Sequence, residues 1–246
     1  MITAIEANRL MKKYRQKTAV QPLTFSISQG EFFALLGVNG AGKTTTIKML
    51  SCLLTPTDGD ALISGSSIVK SPQAVKKIIN VSPQETAVAP NLTVTENLEL
   101  IAGIYGSGRQ EAKTKAAETI ESFGLGEIAK DKAKTLSGGW QRRLSVAMAL
   151  ISEPKILFLD EPTLGLDVLA RRELWAFIRQ LKGKITIILT THYLEEAEAL
   201  ADRIGIMSKG FLKAVGSPEE LVIQTGAKNF EDAFVSLVSE TEEKSL

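Results

Sequence analysis

The 246-residue sequence predicts an α/β fold: a parallel sheet with helices on its faces and a small antiparallel β flank. Three observations lead there. Short apolar runs alternate with helical patterns, and a glycine-rich loop follows one of those runs and opens a helix. The composition, 44% hydrophobic and 23% charged, is that of an ordinary globular protein with enough chain to bury a sizeable core.

The elements follow in chain order. The stretch before Glu31 and that from Ala61 to Val69 are β-like and supply the flank. Glu31 to Leu36, Lys77 to Val81, Ile156 to Leu159 and Ile185 to Leu189 read as buried strands bounded by turn or charged residues. Thr93 with Glu96 makes a capping box for a helix running to about Tyr105, and Gly103 to Gly108 reads as a loop. Between Gln110 and Phe123, Ala112, Ala116, Ile120 and Phe123 share one helical face; between Leu169 and Leu181, Leu174, Phe177, Ile178 and Leu181 share another. Near the end, Phe230, Ala233, Phe234, Leu237 and Val238 fall at helical spacing, the pattern of a closing helix packed on the domain. Ser239 to Leu246 reads as a frayed tail.

Charge and rare residues narrow the function. Lys and Arg number 29 against 28 Asp and Glu, a net charge of +1, so no general attraction to nucleic acid is expected. One cysteine, Cys52, excludes an internal disulfide framework and reads as a small buried hydrophobe on the helix after the glycine-rich loop. One histidine, His192, excludes a multi-histidine metal site. Met1 to Tyr14 lacks the apolar stretch of a signal peptide, and no uninterrupted run of apolar residues is long enough to span a bilayer.

The sharpest motif is Gly37-Val-Asn39-Gly40-Ala41-Gly42-Lys43-Thr44, which fits G-x-x-x-x-G-K-[ST] between a strand and a helix. Glycines let the backbone fold back with its N–H groups turned inward, where they hold phosphate oxygens. The helix N-terminus adds positive dipole charge to the same place. Lys43 would reach the β and γ phosphates of a nucleotide, Thr44 would ligate Mg²⁺, and Thr45 continues the cradle. A second half follows in Ile156-Leu-Phe-Leu-Asp160-Glu161, an apolar strand ending in two carboxylates. Asp160 would hold Mg²⁺, and Glu161 would stand by the γ-phosphate as base for the attacking water.

Between the halves lies Leu136-Ser137-Gly138-Gly139-Trp140-Gln141-Arg142-Arg143, in which Ser137 caps the helix that follows. With this run the chain resembles the ATP-binding cassette (ABC) family over nearly its whole length, whose signature is usually LSGGQ. Trp140 departs from that signature, with Gln141 one place along. The resemblance implies a P-loop NTPase core with a helical subdomain, about 85–152, that carries the signature. An ABC-type nucleotide-binding domain is expected over 1–222, then a C-terminal helix and tail over 223–246. It also implies that Ser137, Gly138 and Gly139 face the γ-phosphate bound by another subunit, two chains enclosing two ATPs head to tail.

Further roles come from the resemblance alone. Gln84 matches the glutamine that links Mg²⁺ to the surface touching the membrane partner. Gly165-Leu-Asp167 matches the loop that communicates between sites, although Val168 stands where proline is frequent. Tyr14 matches the aromatic that stacks on adenine, and His192, after Thr190-Thr191, matches the switch histidine at the γ-phosphate. Taken together, these imply an ATP hydrolase using ATP and Mg²⁺, paired with a second copy or a paralogous ATPase. It would sit in the cytoplasm on the inner face of the cell membrane through a separate permease. The C-terminal helix, with Arg142-Arg143-Leu144 and Glu161 to Asp167, resembles ATPases of bacterial drug and small-molecule exporters. The other classes considered are a sensing switch that moves no solute, and an ATPase acting on ribosomes or nucleic acid.

Overall fold

The computed structural model describes residues 2–239. Its first elements are β1 (Thr3–Tyr14), β2 (Lys17–Ser28) and β3 (Phe32–Leu36), then α1 (Lys43–Leu50), β4 (Asp58–Ile63), β5 (Ser66–Ser67), α2 (Pro72–Lys76) and β6 (Ile79–Ser82). A helical stretch follows, with α3 (Val94–Ile104), α4 (Arg109–Ser122) and α5 (Gly138–Leu150). The chain continues through β7 (Ile156–Asp160), α6 (Val168–Arg179), β8 (Thr186–Thr191), α7 (Leu194–Leu200), β9 (Arg203–Ser208) and β10 (Phe211–Gly216). It closes with α8 (Pro218–Thr225) and α9 (Phe230–Ser239).

Every residue of β3, β7 and β8 is buried, as expected of strands covered on both faces. They belong to a sheet ordered β10-β9-β3-β8-β7-β6, parallel except for the antiparallel β9–β10 pair. The flank is a separate antiparallel sheet, β2-β1-β4-β5. Side chains leaving the parallel strands in alternate directions divide the core. Ile156 and Phe158 of β7 point into the layer shared with the flank, beside Leu10, Ile27 and Phe33. Leu157 and Leu159 point the other way, onto Leu174, Phe177 and Ile178 of α6.

Register decides where chemistry can gather. Leu36 pairs with Thr191 and Asp160 with Thr190, so β3, β8 and β7 end flush on one edge. Open α/β sheets bind ligands outside these carboxyl ends. The phosphate-loop sequence leaves β3 here, the carboxylate pair leaves β7 and His192 leaves β8.

Most expected elements are present. Thr93 caps α3 in a complete box: its Oγ1 accepts the Glu96 N–H at 3.1 Å, and Glu96 Oε2 accepts the Thr93 N–H at 2.8 Å. The bond from the Thr93 backbone holds the Glu96 carboxyl below its ordinary pKa. In α9, Phe230, Ala233 and Leu237 are buried, with Phe234 and Val238 packed against the same cluster. Of the expected tail, 240–246 lies outside the described residues.

Three expectations are corrected. Gly103 continues α3, and the turn starts at Tyr105. The first, second and fourth strands begin later than apolar content suggested, at Phe32, Ile79 and Thr186. Cys52 lies beyond the end of α1, at φ 58° and only half-buried; burial still raises its thiol pKa. The β9–β10 hairpin adds an antiparallel edge that the strand reading did not contain.

Candidate active site

The loop from Gly37 to Thr44 wraps a cavity of about 560 Å³ at the carboxyl edge of the sheet. Two glycines make the wrap possible. Gly42 caps α1 at φ 104°, and a Cβ there would lie 2.8 Å from the Ala19 carbonyl oxygen of β2. A Cβ on Gly37 would lie 2.3 Å from the Met207 carbonyl oxygen. No side chain fits either place, so the backbone itself forms the wall.

Asn39, Gly40, Ala41, Gly42, Lys43, Thr44 and Thr45 line the cavity with Gln84, Glu161 and His192. Behind this lining, Lys43 is 4% exposed, and its ammonium donates to the carbonyls of Gly37 at 2.8 Å and Val38 at 3.3 Å. It also lies 3.3 Å from Glu161 Oε1. The other carboxylate oxygen, Oε2, is 2.8 Å from His192 Nδ1. Cation, carboxylate and imidazole therefore form one chain of contacts, buried at Lys43 and Glu161 and partly exposed at His192, across the start of α1 and the ends of β7 and β8.

Asp160 sits one layer deeper and meets the cavity through Thr44. Its Oδ1 accepts from Thr44 Oγ1 at 3.0 Å and from Thr190 Oγ1 at 2.5 Å. Glu161 is held in an unusual backbone state, φ 47°, and its N–H donates to both oxygens of Thr190 at 3.1 Å. A left-handed conformation in a bulky residue costs of order 1–3 kcal/mol and persists when its surroundings fix it. Here it turns the carboxylate out of β7 and over the phosphate loop.

Gln84 is anchored from behind by the signature helix. Arg142 of α5, 5% exposed, donates to the Pro83 carbonyl at 2.7 Å and to that of Gln84. Burial pulls the Arg142 pKa below its usual value, opposed by the charge of Asp160.

The remaining sequence-derived residues lie elsewhere. Ser137 accepts the Trp140 N–H at 3.4 Å and caps α5, as expected. Ser137, Gly139 and Trp140 line a different, smaller hollow with Ala170 and Glu173, and none of Ser137, Gly138 or Gly139 lines the cradle of its own chain. A Cβ on Gly139 would come within 3.0 Å of Ala170 Cβ, which sets how closely α5 and α6 approach. Asp167 caps α6, its Oδ1 accepting from Leu169 and Ala170 at 2.9 Å, and does not line the cavity. Tyr14 is 46% exposed beside Lys12 at the end of β1, also off the lining.

Sequence reasoning missed Lys17, Thr18 and Ala19 of β2 and Lys209 of the β9–β10 turn, all of which line the cavity. Lys17, Lys43 and Lys209 against Glu161 give the lining an excess of positive charge suited to a polyphosphate. The signal for Lys209 was its Lys-Gly pair between two β-like runs. For Lys17 no local signal exists.

Comparison with known proteins places this geometry. The family described as ABC transporter matches residues 20–164. The linearmycin resistance ATP-binding protein LnrL of Bacillus subtilis (strain 168) is 41% identical over 237 residues, 96% of this chain and 76% of LnrL. A solved ATP-binding subunit of an ABC transporter superposes with a TM-score of 0.83 at 30% identity, covering 96% of this chain and 99% of that one. A dimeric post-hydrolysis state of the ATP-binding cassette MJ0796, bound to ADP and Pi, superposes at 0.77 with 26% identity, covering 87% and 98%. The chain belongs to the ABC transporter family, as an ATP-binding subunit with ATP hydrolase activity.

Proposed function

We propose that this subunit powers export of a small molecule through a separate membrane permease on the inner face of the cell membrane. It would work head to tail with a second copy of itself or a related ATPase. The carrying observation is the convergence of Lys43, Glu161 and His192 on the edge where β3, β7 and β8 end flush. Export is supported by the 41% identity to LnrL, whose name is that of a resistance protein. Pairing is supported by the dimeric cassette it resembles and by the exposed position of Ser137 and Gly138. On this reading residues 1–222 form the cassette, 85–152 its helical subdomain, and 223–246 the C-terminal helix and tail. The permease docks near Gln84 and the helical subdomain.

In the proposed mechanism, ATP phosphates lie along the backbone N–H groups from Asn39 to Thr45, at the positive end of α1. Lys43 meets the β and γ phosphates. Tyr14 stacks on adenine, and Ser137, Gly138 and Gly139 of the opposing subunit close over the γ-phosphate. Thr44, Asp160 and Gln84 offer the hard oxygen donors that Mg²⁺ prefers, the first two already within 3.0 Å of each other. Bound there, the ion would neutralise phosphate charge. Water attacks the γ-phosphorus in line, the bond to the bridging oxygen breaks, and Glu161 takes the proton from the water. His192 holds Glu161 and the γ-phosphate in register, and Asp167 links one site to the other.

The test pairs the subunit with its permease in a strain lacking both, challenged with a panel of antibiotics. Restored resistance with reduced cellular drug, abolished by Glu161→Gln, is expected. Increased cellular uptake of a solute would overturn export.

A further inference from the structure

Behind the cavity lies a buried polar cluster that the mechanism above does not use. Among the described residues, the buried side-chain nitrogens and oxygens lacking a hydrogen-bond partner are Thr163 Oγ1, Arg171 Nε and Glu196 Oε2. All three belong to this cluster. Glu196, on α7, is 0% exposed. Its Oε1 accepts the indole N–H of Trp175 at 2.9 Å, tying α7 to α6. The hydroxyls of Thr163 and Thr191 and the charge of the Arg171 guanidinium act on the same carboxyl, while its Oε2 makes no full hydrogen bond. That guanidinium stacks 4.5 Å from the Tyr193 ring, which in turn lies 4.1 Å from His192.

The two hydroxyls matter for where they stand. Thr163 is two residues past Glu161, in the turn whose Leu164 N–H donates to the Glu161 carbonyl at 3.2 Å. Thr191 ends β8 next to His192, and its Oγ1 accepts the Tyr193 N–H at 3.0 Å, leaving its own proton free to point at Glu196. The carboxyl thus touches the segments that deliver both members of the 2.8 Å Glu161–His192 contact. A site meant only for packing would be filled by leucine. A buried acid with incomplete bonding is costly, and its position between these two segments accounts for it.

We propose that Glu196 is a positioning residue for ATP hydrolysis: anchored by Trp175, its carboxyl braces Thr163 and Thr191 and so fixes Glu161 against His192. Burial raises the Glu196 pKa, opposed by the nearby Thr191 hydroxyl, the Trp175 hydrogen bond, the Thr163 hydroxyl and the Arg171 charge.

The inference rests on Glu161 and His192 as the hydrolytic pair, and its test keeps the two apart. Steady-state phosphate release is measured on the full chain for Glu196→Leu, Glu196→Gln and Trp175→Phe, with Glu161→Gln and His192→Ala as references and thermal melting as control. A brace displaced by a fraction of an ångström should lower kcat about tenfold in Glu196→Leu, with KM for ATP unchanged. Glutamine, which accepts from the indole and donates to a threonine, should restore kcat to within about twofold. Trp175→Phe should fall between and decides the matter if the leucine variant does not fold. Wild-type kcat in either Glu196→Leu or Trp175→Phe, or a glutamine variant as slow as leucine, overturns the brace. If those variants are wild type while the two references are inactive, the brace alone fails. Wild-type rates in the references would overturn the hydrolytic pair and the brace with it.

Discussion

Two glycine-containing helix starts stand about a hundred residues apart in the chain and are built in opposite ways. The cradle at α1 surrounds its charge: Lys43 and Glu161 are buried, paired and backed by Asp160 and Thr190. The signature start at α5 turns outward, with Ser137 and Gly138 exposed and Gly139 pressed on Ala170. One is a site whose groups already satisfy each other; the other offers a capped helix end seated on α6 at Gly139 and open to solvent at Ser137 and Gly138. Damage to the first should disturb nucleotide binding by a single chain, whereas damage to the second should spare that binding and disturb the turnover that two chains carry out together.

The largest expected effect lies in the cradle. Glu161→Gln should slow phosphate release about a hundredfold or more, the size of a general-base contribution. ATP binding should persist, and the variant should accumulate as an ATP-bound pair in size-exclusion chromatography. A monomeric Glu161→Gln would break the comparison at once. Next comes Gly42→Ala, which forces a Cβ into the Ala19 carbonyl at an unfavourable φ. It should cost about 1–3 kcal/mol of stability and lose affinity for a fluorescent ATP analogue in titration.

Smaller effects belong to the signature end. Ser137→Ala removes the α5 cap and should lower stability by about 1 kcal/mol. Turnover should drop in Ser137→Ala while nucleotide affinity of the single chain stays the same, and weakened affinity would erase the contrast. Trp140→Gln trims an indole that packs on the helical cluster and stacks with Arg143 at 4.5 Å. A loss of roughly 1–2 kcal/mol in denaturant unfolding, with hydrolysis retained, would assign the indole to packing. The smallest effect is a gain. Val168 is the first residue of α6, preceded by Asp167 at φ −68° and ψ 171°, a conformation that proline tolerates before it. Val168→Pro should stabilise by about 0.4–1 kcal/mol, a rise of a few degrees in Tm.

The comparison also explains what the sequence disclosed. The cradle was legible because its chemistry is local: glycines, lysine and threonine stand within eight residues, and a carboxylate pair ends an apolar strand. The Ser137 cap and the Thr93–Glu96 box were legible for the same reason. Lys17 was hidden because it reaches the cavity through β2, whose place depends on Gly42 meeting Ala19 across the loop. Cys52 was misplaced because a left-handed residue after a helix leaves no mark in hydrophobicity. The Trp175–Glu196 bond joins two helices 21 residues apart and depends on their packing, which no local period encodes. The strand starts were blurred because Glu31 and Ile78, one residue ahead of β3 and β6, already offer their carbonyls to the N–H groups of Ile187 and Ile156 in the neighbouring strands.

Glu161 has two oxygens, one near an ammonium and the other near an imidazole. The Lys43 ammonium can serve this carboxylate or a γ-phosphate, and each new bond to phosphate weakens its hold on Glu161. Substrate arrival and arming of the proposed base would then be one exchange of counter-ions. On the proposed mechanism the carboxylate, released on one side and still held by His192 on the other, would be free to take a proton only when there is a phosphate to attack.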